Sequence, residues 1–152
     1  MGMWIISGAQ KGVGKTHLAK AMCESLPQAV YLKLGHCPAK PAASPLPSRH
    51  EEALNALAKL GRGHEHTVME ACSLALSMPE ATVVFVEARS GMDNIRPDAP
   101  ALRRRADIYV GPGASEAVWR SALRDLAPEI VARLCRVFES QKCYVEGGSG
   151  VS

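Results

Sequence analysis

Short apolar runs alternate along this chain with stretches whose apolar residues recur three or four apart. Trp4, Ile5 and Ile6 form a continuous, partly β-branched run, the pattern of a strand buried on both faces. Leu18, Ala19, Met22 and Leu26 follow at helical spacing, and Pro27 ends that helix. Residues 29–32 read as a second strand, leading into Lys33, Leu34, Gly35 and His36. Prolines 38, 41, 45 and 47 make 37–48 a loop. A helix is expected over 51–60, with Ala53, Leu54, Leu57 and Ala58 on one side, until Gly61-Arg62-Gly63 breaks it. A further helix is expected over 65–77, where Val68, Met69, Cys72, Ala75 and Leu76 share a face.

Residues 82–86, Thr-Val-Val-Phe-Val, carry the strongest strand signal and end at Glu87. The segment "ARSGMDNIRPDAP" after them reads as a loop. A fourth strand is expected over 108–110, closed by Gly111-Pro112-Gly113. Helices over 115–126 and 128–139 follow, with Pro128 suited to a first helical turn. Trp119 and Phe138 sit at helical spacing among leucines and read as core. Strands alternating with helices imply an α/β fold of three layers: a mostly parallel sheet of about four to five strands with helices on both faces. One domain over 1–145 and a frayed tail over 146–152 are expected.

Composition narrows the classes. The chain has 152 residues, 47% of them hydrophobic and 22% charged, with a net charge of +3. Arg103-Arg104-Arg105 is the one basic run, so no nucleic-acid partner is expected. The cysteine count of five is odd and lacks a C-x-x-C pair, which fits a reduced, cytoplasmic protein. No signal-peptide pattern opens the chain, and no apolar run approaches bilayer length. His36, Cys37, His64 and His66 invite a zinc site, but His64-x-His66 lacks the spacing that puts two ligands on one helix face.

The stretch between the first strand and the first helix carries the chemistry. Ala9-Gln10-Lys11-Gly12-Val13-Gly14-Lys15-Thr16 has the form [A/G]-x-x-x-x-G-K-[S/T], a phosphate-binding loop of P-loop type. Glycine lets successive backbone N–H groups turn toward one anion, and the helix that follows presents the positive end of its dipole. Lys15 would reach the β- and γ-phosphates, and the Thr16 hydroxyl would serve Mg²⁺. Gln10, Lys11, Gly12, Val13, Gly14, Lys15, Thr16 and His17 form the candidate nucleotide-binding set. One branch of P-loop proteins has an extra lysine five residues before the loop lysine. Gln10 stands there, so Lys11, one place late, reads as solvated.

A Mg²⁺-nucleotide site also needs a carboxylate near the metal. Glu87, closing a β-branched strand, is the candidate, against the alternative that it marks the strand's exit to solvent. Asp93 is either a second acid near an acceptor or a turn residue. The guanine-reading sequences N-K-x-D and T-K-x-D do not occur, which argues against a signalling GTPase.

The phosphate loop at the N-terminus, a second strand ending "YLKLGH" and a third ending "VE" together resemble MobB, the family of the B protein of molybdopterin-guanine-dinucleotide biosynthesis. The resemblance spans roughly the first 90 residues. It implies a P-loop fold with the Glu87 strand beside the first, GTP or ATP with Mg²⁺, a homodimer, and slow NTPase activity alongside a protein partner in molybdenum cofactor assembly. Lys33 and His36 match the family's lysine and histidine after the second strand. Ala88 replaces its usual glycine after the glutamate, and a proline-rich loop replaces its histidine-rich one. "VEARSGMDN" also looks like the acid-x-Arg-Ser segment of deoxynucleoside kinases. That likeness implies a small-molecule kinase with Glu87 as general base, Arg89 on the phosphates and the arginine triplet as lid. Lys33, His36, Asp93, Arg89 and Arg96 are the candidates for the acceptor or partner side.

Overall fold

The first apolar run forms β1 (Gly2–Gly8), and the sheet is assembled on both of its edges. The structure is a computed structural model that describes residues 2–9, 13–33, 55, 59, 63–71, 73–88 and 95–147. After β1 come α1 (Lys15–Ser25), β2 (Ala29–Lys33) and β3 (His66–Glu70), then a 3₁₀ turn at Ser73–Ser77 and β4 (Thr82–Val86). The chain continues through α2 (Ala99–Arg105), β5 (Ile108–Val110), α3 (Glu116–Ala122) and α4 (Pro128–Gly147). The expected 37–48 loop lies outside the described residues. So does the 51–60 helix, apart from Asn55 and Lys59, which are helical.

Among the described residues the sheet has five strands in the order β2-β3-β1-β4-β5, and every pairing is parallel. Parallel neighbours need crossovers, and the crossovers lay helices on the two faces. On one face Trp4, Ile6, Val68, Val84 and Val86 pack against Leu18 and Met22 of α1 and against Trp119, Leu134 and Phe138 of the C-terminal helices. On the other, Ile5, Met69, Val83 and Phe85 pack against Leu74, Ala75 and Met78 and against Leu102 of α2. The expected three-layer α/β architecture is therefore present. Ile5 and Ile6 have no exposed surface. At about 1.5–3 kcal/mol per buried aliphatic side chain, alternate residues of β1 stabilise both layers. Trp119 and Phe138 are core, with ring centroids 5.6 Å apart in an edge-to-face arrangement.

The helix expected over 65–77 is a correction. His66–Glu70 is a strand inserted between β2 and β1, and a 3₁₀ turn follows it. All five of its residues are buried, because a strand with neighbours on both edges and helices on both faces has no solvent side. It therefore shows no alternation, and its apolar positions run on into the 3₁₀ turn with a spacing that imitates a helix. The last helix also exceeds its expected 128–139 span, continuing to Gly147. No helix among the described residues is long and apolar enough to cross a membrane.

Candidate functional site

The strand order reverses at β1, with β3 on one side and β4 on the other, and open α/β sheets bind ligands outside the carboxyl ends of strands at such a point. The phosphate-loop sequence leaves the sheet there. The Ala9 N–H donates to the Val86 carbonyl at 3.0 Å, and the Ala9 carbonyl accepts from the Arg96 N–H at 2.8 Å. Val13 is fully buried. Gly14 is the N-cap of α1 with φ 93° and ψ 21°, a left-handed conformation that costs a side-chain-bearing residue about 1–2 kcal/mol. As a glycine it has no side chain with which to cap the first N–H groups of α1, and these groups lie at the positive end of the helix dipole. Gly8 is needed for a second reason. A Cβ there would come within 2.7 Å of Val13 Cγ2 and 3.0 Å of Lys15 Cδ, so the lysine stem lies back across bare backbone at the end of β1.

Thr16, one residue into α1, donates its hydroxyl to Glu70 Oε2 at 2.7 Å. The Tyr31 hydroxyl of β2 donates to the same oxygen at 2.6 Å. Glu70 closes β3 and stands beside Ile6 of β1 and Lys33 of β2 in register. It is buried, with 9% of its surface exposed, so the two hydroxyls compensate for much of its lost hydration. Burial first, then the hydrogen bond to Glu70, pushes the Tyr31 phenol up to about 12. Tyr31 thus remains a donor at any physiological pH.

Glu87 sits across β1 at the end of β4 in a different set of contacts. Its carboxylate takes a bidentate bond from Arg103, at 2.8 and 2.9 Å, and a third bond from the Tyr109 hydroxyl at 3.1 Å. The Ala88 N–H also donates to it at 3.0 Å. Burial pushes the Glu87 carboxyl up, but the Arg103 bond, the Ala88 amide and the Tyr109 hydroxyl outweigh it and hold the group below its usual range. Arg103 also lies over the Phe85 ring, 5.2 Å from its centroid. Burial, then the Glu87 charge, pushes the Tyr109 phenol up to about 12. Arg105, second neighbour of Arg103 in the triplet, bonds Asp107 and the carbonyls of Met78 and Ala81.

The expected residues separate accordingly. Val13, Gly14, Lys15 and Thr16 gather at the carboxyl end of β1, with His17 exposed on α1. Lys33 is exposed at the end of β2. Arg96 pairs with Asp98 at 3.0 Å while its backbone N–H holds Ala9. Gln10, Lys11, Gly12, His36, Arg89 and Asp93 lie outside the described residues. No known protein-family model and no curated protein matches the chain. The MobB likeness stands on its quoted motifs alone.

Sequence reasoning missed Glu70. The signal was available: Thr67-Val68-Met69-Glu70 is an apolar, partly β-branched run ending in an acid, the same signature that singled out Glu87.

Proposed function

We propose that the chain binds a nucleoside triphosphate, GTP or ATP, with Mg²⁺ at the loop between β1 and α1, and that Glu70 is the acid of that site. The observation that carries this reading is the contact of Thr16 with Glu70 two residues beyond a left-handed Gly14 at the start of a helix with no side-chain cap. A hydroxyl and a carboxylate form an oxygen-only set, which suits a hard divalent ion whose remaining ligands are phosphates and water. When bound, Mg²⁺ would neutralise charge on the β- and γ-phosphates. The backbone donors of the loop and Lys15 supply the rest of the phosphate binding, and Tyr31 keeps the Glu70 carboxylate aimed at Thr16.

The setting follows the motif likeness: a slow NTPase in the cytoplasm, working as a homodimer with a protein partner in molybdenum cofactor assembly. The kinase reading asks Glu87 to take a proton from an acceptor. Both of its oxygens are engaged by Arg103, Tyr109 and the Ala88 amide, and its lowered pKa makes it a weaker base, so no observation favours that reading. Calorimetric titration with GTP, ATP and their diphosphates, with and without Mg²⁺, tests the proposal. Lys15→Ala is expected to abolish the tight component. Wild-type affinity in that variant overturns the reading.

A further inference from the structure

Gln141 lies on α4, 128 residues beyond Val13, yet its Nε2 donates to the Val13 carbonyl at 2.8 Å. Its side chain is buried, 4% exposed. A carbonyl can only accept, so the Gln141 amide must present its NH₂ end, and its orientation is determined. The packing of α4 on α1 and the sheet is already supplied by Leu18, Ala19, Met22, Leu134 and Phe138. The amide does something else: it grips the turn that enters α1.

The peptide between Val13 and Gly14 is trans, so its carbonyl and its N–H point in opposite directions. Drawing the Val13 carbonyl toward α4 directs the Gly14 N–H away from α4. Glycine accepts both hands of backbone conformation, so this peptide would otherwise flip at little cost. A flip would turn a carbonyl, with its negative end, to where an N–H had been. Space agrees with the role, since a Cβ on Gly14 would stand 2.7 Å from the same Nε2. Gln141 also lines a groove of about 310 Å³ between α1 and α4.

We propose that Gln141 is a positioning residue for the phosphate loop, holding the Val13–Gly14 peptide with its N–H in the donating orientation. This rests on the nucleotide-binding reading above, and its test is separable from that reading. Gln141→Leu keeps the volume and removes the donor; Gln141→Glu faces the carbonyl with an acceptor. Triphosphate affinity is expected to fall about tenfold in the first, the worth of one hydrogen bond, and further in the second. Inorganic pyrophosphate, which has no base or ribose, should weaken by the same factor as GTP or ATP, because the loss belongs to the loop. A merely structural contact would lower the unfolding temperature and leave both affinities at the wild-type value, and that result overturns the proposal. If Lys15→Ala abolishes binding while Gln141→Leu does not weaken it, this inference fails alone. If Lys15→Ala binds normally, the nucleotide reading fails first. Should both Gln141 variants misfold, hydrogen exchange on the wild-type chain decides. Mg²⁺-triphosphate must slow exchange in residues 135–147 as well as around the loop, since coupling is reciprocal. Protection of the loop with none in 135–147 overturns it.

Discussion

Glu70→Gln discriminates between the two acids at the carboxyl edge. Two hydroxyls, from Thr16 and Tyr31, converge on one oxygen of Glu70, at 2.7 and 2.6 Å. A hydrogen bond to a charged acceptor contributes about 1.5–3 kcal/mol and one to a neutral acceptor about 0.5–1.5. The amide of Gln keeps an acceptor oxygen for both hydroxyls, so the substitution forfeits roughly 1 kcal/mol per bond, about 2 in all. Removing a charge from a buried position returns part of that. The net effect is a fold weakened by about 1 kcal/mol, a drop of roughly 2–4 °C in unfolding temperature for a chain of this size. Glu87→Gln gives up a pair whose arginine is 41% exposed, and solvent screening limits its cost to about 1 kcal/mol or less.

The two variants therefore remain folded to a similar degree and differ at the metal. The readout is the ratio of triphosphate affinities measured with and without Mg²⁺ by calorimetry. Glu70→Gln is expected to bring that ratio close to one, and Glu87→Gln to leave it near the wild-type value. The opposite outcome, with the ratio intact in Glu70→Gln and lost in Glu87→Gln, refutes the assignment of Glu70 as the site's acid.

Two further expectations concern pH. Glu87 is held below its ordinary pKa in the fold, so the pair with Arg103 adds stability above the unfolded value and loses it as pH falls through the folded one. Arg103→Ala should flatten the acid limb of a stability–pH curve below about pH 4.5, and an unchanged limb in urea titrations rules this out. His66 is buried and accepts from the Trp4 indole N–H at 3.2 Å, and burial pushes its imidazole below the usual range. Folding then opposes its protonation, so stability is retained above about pH 6.5 and declines as pH drops below it. His66→Gln should remove that decline below about pH 6.5. Trp4 fluorescence during denaturant unfolding reads the change, and a slope identical to wild type counts against it.

Much of the fold was legible, and the failures share a cause. β1, β2, β4 and β5 stood out because each is a short apolar run bounded by glycine, proline or charge. β3 did not, because a strand enclosed on four sides has no polar face to supply alternation, and Ala75 and Leu76 beyond it completed a false helical stripe. The error carried the site with it: once 66–70 became helix, Glu70 could not be read as the acid closing a strand, and Glu87 was left as the candidate. The loop was recognisable locally, since its glycines and Lys15 are contiguous. Its supports were not. Arg103 reaches Glu87 from another element, Arg96 holds Ala9 through its backbone, and Gln141 comes from the far end of the chain. No window of sequence contains both members of such a contact.

The placement of β1 bears on synthesis. It is translated before both of its partners, since Trp4 pairs with Val68 on one edge and Thr82 on the other. An emerging polypeptide therefore carries an apolar strand whose one edge stays bare until residue 70 has left the ribosome and whose other edge stays bare until residue 86 has. Neither neighbour of that strand is joined to it by a hairpin, because both pairings are parallel and wait on a long crossover. The nascent chain is thus exposed to mispairing and to chaperone capture during that interval, and truncations ending before residue 82 should accumulate as aggregates rather than as soluble fragments.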